Sequence, residues 1–74
     1  MAKIITNNIR ILRFTHQEMT QQKLADTVSV SRQTIIAIEK GKYSPSLEVA
    51  FKIANLFEKP INQVFFYSEE SLDQ

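Results

Sequence analysis

The sequence predicts an all-α domain of five short helices, and three observations carry that expectation. Its 74 residues include one glycine and two prolines, so nearly every stretch between turns is free to be helical. A serine or threonine precedes three short apolar runs at helical spacing, at Thr20, Ser31 and Ser46. The hydrophobic fraction of 43% beside 23% charged residues is that of a globular chain, not a disordered one. The length allows one domain with one core, here residues 1–74.

The elements follow in order. Asn7 or Asn8 caps a first helix with Ile9, Leu12 and Ile5 at helical spacing, ending in the polar stretch Thr15-His16-Gln17-Glu18. Thr20 caps a second helix, whose apolar face is Leu24, Ala25 and Val28. Lys23 stands where a capping box would need Glu or Gln, so no box closes. Ser29-Val30 interrupts, and Ser31 starts a third helix anchored by Ile35 and Ile38 and stopped by Gly41. Ser46, after Pro45, opens a fourth. Leu47, Ala50, Ala54 and Phe57 form one of its apolar stripes, and Val49, Ile53 and Leu56 form another. Glu48, Lys52, Asn55 and Lys59 are its one polar line, the pattern of a central core helix. Pro60 breaks it and starts a fifth helix through Ile61, Val64 and Phe65. The β-prone ends, Lys3-Ile4-Ile5 and Phe65-Phe66-Tyr67, can pair as a two-stranded ribbon.

Composition closes off several classes of function. There is no cysteine, hence no disulfide and no thiolate metal site. His16 is the sole histidine, so no metal is expected, and no paired acids suggest an enzyme. No apolar run spans a membrane or reads as a signal peptide, which leaves the cytoplasm as the expected location. Net charge is only +1, but residues 1–43 hold seven Lys and Arg against three acids. Residues 44–74 hold two against five. A basic half beside an acidic half suits a polyanion bound on one face.

From about residue 20 to 41, two short helices joined by a tight turn make a helix-turn-helix. Ala25 is small where the helices cross, and Val30 plugs the turn. The third helix then presents Arg32, Gln33, Ile36, Ala37 and Lys40 outward. Arg and Gln suit guanine and adenine edges, while Ile and Ala suit a thymine methyl. Periodicity alone fits a plain helical hairpin with a solvated polar face equally well.

The runs Leu24-Ala25-Asp26-Thr27-Val28-Ser29-Val30-Ser31-Arg32-Gln33-Thr34-Ile35 and Ala37-Ile38-Glu39-Lys40-Gly41-Lys42-Tyr43-Ser44-Pro45-Ser46-Leu47 resemble the Cro and phage-repressor (XRE-like) family. The likeness continues through Ala50, Lys52-Ile53-Ala54 and Phe57 to Pro60-Ile61 and Val64-Phe65, and short stand-alone regulators of the cytolysin-repressor type are the most similar. The resemblance implies a five-helix, lambda-repressor-like fold and a bacterial or phage regulator, usually a repressor. Such a regulator binds a near-palindromic DNA operator through the major groove as a homodimer. It implies base reading by Arg32, Gln33, Thr34, Ile36 and Ala37. It implies phosphate contacts from Thr20, Gln21, Ser31, Lys40, Lys42 and Tyr43, and a structural ion pair between Arg13 and Glu39. Two departures stand out. Ser29 occupies the turn position where many members have glycine, and the loop from Thr15 to Met19 is one residue longer than usual.

The aromatic end exceeds what so small a core can bury, so Ile61, Val64, Phe65, Phe66 and Tyr67 are expected to form a dimer contact. No cofactor or small-molecule ligand is expected. The alternative use of such a scaffold is an antitoxin or a regulator captured by another protein. The acidic segment Ser68 to Gln74 is short for wrapping a toxin.

Overall fold

The computed structural model describes residues 2–70, as four α-helices and a ribbon. Met1 and residues 71–74, the end of the segment weighed against a toxin-wrapping role, lie outside the described residues. The order is β1 (Ala2–Asn7), α1 (Ile9–Thr15), α2 (Gln21–Val28), α3 (Arg32–Glu39), α4 (Leu47–Leu56), a 3₁₀ turn (Ile61–Gln63) and β2 (Phe65–Glu70). The strands pair antiparallel, from Asn7 opposite Phe65 at the body to Ala2 opposite Glu70 at the far end.

Short side chains start the helices where the sequence places them. The hydroxyls of Thr20, Ser31 and Ser46 accept from the N–H groups of Lys23, Thr34 and Val49 at 3.0, 3.1 and 3.2 Å. Each satisfies a donor that a helix start leaves free. At α1 the work falls to Asn7, whose Oδ1 accepts from Ile9 N at 3.1 Å while its Nδ2 donates to Ile38 O at 2.9 Å. One side chain thus ties the ribbon to the start of α1 and the end of α3.

The helix ends share a device. Val30, Lys42 and Lys59 donate their N–H groups back to Ala25, Ala37 and Ala54 at 3.0, 2.9 and 3.0 Å, and the residue before each is left-handed. Gly41 (φ 74°) adopts that conformation freely, whereas Ser29 (φ 64°) and Glu58 (φ 56°) carry its strain. Gln17 and Glu18 are left-handed as well, which is how the long loop after α1 turns back toward α2.

The core gathers Ile9 and Leu12 of α1, Leu24, Ala25 and Val28 of α2, and Ile35 and Ile38 of α3. Ile53, Ala54, Phe57 and Val64 complete it, with Val30 packed against it from the turn. Three expectations need correction. The fifth helix is a single 3₁₀ turn, because only four residues separate Pro60 from a strand that the β-prone Phe65-Phe66-Tyr67 extends. Ile5 belongs to β1, not to the apolar face of α1. Finally, α4 is not wet along one narrow line, since Leu47 and Phe51 are 69% and 47% exposed.

Candidate nucleic-acid interface

Ala25 lets α2 and α3 approach closely, and Ile35 and Ile38 hold α3 to the core by one face. The opposite face presents what spacing assigned to it. Arg32 and Gln33 are exposed at the first turn, and Thr34, Ile36 and Ala37 are half-buried beside them. Lys40, Lys42 and Tyr43 follow, all exposed, around the left-handed Gly41. Ser31 shares its hydroxyl between the Thr34 N–H and the Thr34 hydroxyl, and Thr20 is likewise engaged as a cap.

Beneath α3 lies a clasp. Arg13 Nε donates to Glu39 Oε2 at 2.6 Å and its Nη2 to Oε1 at 3.0 Å, a bidentate pair whose side chains are 14% and 9% exposed. The remaining Nη1 donates to Met19 O at 2.9 Å, which fastens the long loop. Gln21 Nε2 donates to Glu39 Oε1 at 3.3 Å. Helices α1, α2 and α3 therefore meet at one carboxylate, which accepts three hydrogen bonds from charged and amide donors. An amide nitrogen has two N–H groups, so the bond to Glu39 fixes the direction of the Gln21 side chain and uses one of them.

A trough of about 470 Å³ runs beside this clasp, lined by Arg10, Arg13, Gln21, Ile36, Glu39 and Lys40. Glu39 is its only acid and is already paired with Arg13, so Arg10 and Lys40 leave the trough positive. Sequence reasoning missed Arg10. The available signal was its place three residues before Arg13, on the same side of α1. His16 stacks edge-on against Phe57, with ring centroids 5.6 Å apart and planes at 82°. Among the described residues no group of three His, Cys, Asp or Glu could hold a metal ion, and no helix is long and apolar enough to cross a membrane.

The residues expected at a dimer contact do not form one exposed surface. Val64 is fully buried and belongs to the core, so it presents no surface to a partner. Ile61 and Phe65 are half-buried against that core. Phe66 and Tyr67 are exposed, but as consecutive strand residues they point to opposite faces of the ribbon.

Comparison with known proteins agrees with this geometry. The family described as helix-turn-helix matches residues 9–64. An HTH-type transcriptional regulator of Methanocaldococcus jannaschii is 52% identical over 64 residues, which span 86% of this chain and 96% of that protein. The transcriptional repressor RstR of the cryptic phage CTXphi, from Vibrio cholerae, is 32% identical over 71 residues, 96% of this chain and 63% of the repressor. A crystal structure of a Bacteroides fragilis protein assigned to DNA binding superposes with a TM-score of 0.71 at 26% identity, covering 84% of this chain and 98% of that one. The chain belongs to the helix-turn-helix family of Cro and phage-repressor type, whose members are DNA-binding transcriptional regulators and not enzymes.

Proposed function

We propose that this chain is a repressor that reads a near-palindromic operator as a symmetric homodimer, with α3 of each copy in successive major grooves about 34 Å apart. The observation that carries the reading is the group of cations gathered around α3. Arg32 and Gln33 are exposed at the start of α3, Lys40 and Lys42 follow at its end, and Arg10 flanks them across the trough. Arg32 and Gln33 supply the forked donor and acceptor sets that guanine and adenine edges match, and Ile36 and Ala37 supply apolar contact for a thymine methyl. Thr34 completes the reading set. Thr20, Gln21, Ser31, Lys40, Lys42 and Tyr43 hold the phosphate backbone, with Arg10 added to them. The clasp of Arg13 and Glu39 keeps α3 at a set depth while these contacts form. Repression follows from occupancy, because a dimer seated across a promoter excludes polymerase without any further domain.

Selection of duplexes from random sequence, followed by footprinting upstream of the gene, tests the reading. Gln33→Ala should weaken the selected duplex by about 1–3 kcal/mol and blur preference at one base pair. Unchanged preference in that variant would remove α3 from the reading face. The second reading is a regulator whose main partner is another protein. Its support is the exposure of Ile11 and Phe14 on the outer side of α1. A purified chain that selects no duplex alone, yet co-purifies with a second protein, would favour that reading.

A further inference from the structure

α4 carries more apolar surface than its own core covers. Ala50, Ile53 and Ala54 are buried, whereas Leu47 and Phe51, one turn apart on the flank beside Ala50 and Ala54, remain largely open. Two large side chains at that spacing form a patch, unlike singly scattered exposure. Along its polar edge stand Glu48 and Lys52, bridged at 3.3 Å with 77% and 44% of their side chains exposed.

The order of these four residues points to α4 as the surface on which two copies of this chain meet, antiparallel about a two-fold axis near Val49 and Ala50. The inference rests on the dimeric operator reading above and names its contact. An axis at that place sets Leu47 of each copy against Phe51 of the other, and Glu48 of each against Lys52 of the other. The patch is therefore complementary to itself, as a two-fold contact requires. The pair within each α4 is too exposed to resist the exchange, since such pairs contribute little.

Among the other exposed apolar side chains, two neighbouring pairs lack this arrangement by themselves. Phe66 and Tyr67 face opposite ways. Ile11 and Phe14 lie beside Arg10, and on their helix no acid stands to meet that charge from a two-fold copy. Position argues for α4 as well. It begins four residues after Tyr43, so a contact there is carried to α3 through a short connection. A stable interface buries about 800 Å² on each partner, far more than four side chains of α4 provide. Pairing is accordingly weak between free copies and is completed on DNA, where adjacent half-sites hold the copies at high effective concentration.

The experiment is sedimentation of the full chain, alone and on a duplex obtained by random selection. Phe51→Glu should weaken pairing by at least about 30-fold, the size of a central interface residue, while circular dichroism shows unchanged melting. Glu48→Lys and Lys52→Glu should each weaken it separately, and an equimolar mixture of the two should restore it, because each then meets its opposite charge. That rescue is beyond a variant that merely folds poorly. The inference is overturned if Phe51→Glu pairs like the wild type, if the mixture regains nothing, or if Tyr67→Glu separates the copies instead. A wild-type chain that selects no duplex overturns the operator reading, and one that sits on its selected duplex as a single copy overturns pairing on any surface.

Discussion

Two ion pairs of one chemical kind sit in this small domain and do opposite things. Arg13 and Glu39 meet bidentately at 2.6 and 3.0 Å, nearly enclosed, with Met19 O and the Gln21 amide completing the set. Lys52 and Glu48 meet by one contact at 3.3 Å on the surface of α4. The difference lies in what each charge does when its partner is lost. A surface charge returns to water, while an enclosed carboxylate has none to return to. The first pair therefore holds α1, the loop before α2, α2 and α3 in one arrangement. The second is free to change partners.

Breaking the pairs separately should expose that difference. Glu39→Ala leaves the Arg13 guanidinium enclosed with only Met19 O as acceptor, and should destabilise the domain by about 3–5 kcal/mol in urea unfolding. Much of the loss should return in Arg13→Met combined with Glu39→Leu, because no stranded charge then remains. DNA affinity should stay low in that double variant, since Gln21 loses the oxygen that directs it.

A smaller effect, of opposite sign, is expected from Ser29→Gly in the turn of the same helix pair. Relief of the left-handed strain should stabilise by about 0.5–1 kcal/mol, part of the gain being offset by the freer unfolded chain. That gain should add to the Glu39→Ala loss if the turn and the clasp act independently. Smallest of all, Lys52→Ala should change stability by no more than about 0.5 kcal/mol at concentrations where copies are apart. A loss near that of Glu39→Ala would show that the surface pair matters to the single fold, and would weaken the case that it is free for a second copy.

Much of the site was legible in the sequence because its signals are local. A cap joins a hydroxyl to an N–H three residues on, so Thr20, Ser31 and Ser46 could be read from windows of four residues. Helical spacing alone put Arg32, Gln33, Ile36 and Ala37 on one face of α3. The Arg13–Glu39 pair spans 26 positions and was reachable only through the family resemblance. Arg10 went unnoticed because its importance depends on a trough whose other walls come from α2 and α3. The grouping of Phe66 with Tyr67 in one contact is of a different kind. It treated neighbours in sequence as neighbours in space, and a strand turns them to opposite faces.

By itself, then, the sequence determined where α2, α3 and α4 start, that Gly41 would stop α3, and that the chain ends could form a ribbon. These outcomes rest on hydrogen bonds and steric limits among a few adjacent residues, which every packing of the chain must respect. Only the tertiary structure decided that the segment after Pro60 keeps a single 3₁₀ turn, that Val64 fills the core, and that Leu47 and Phe51 are left open. Burial is a property of what packs against a side chain, and those neighbours come from distant parts of the chain. A period-3.6 stripe says that one face is apolar; whether the core is wide enough to cover all of it is settled only when the other elements are in place.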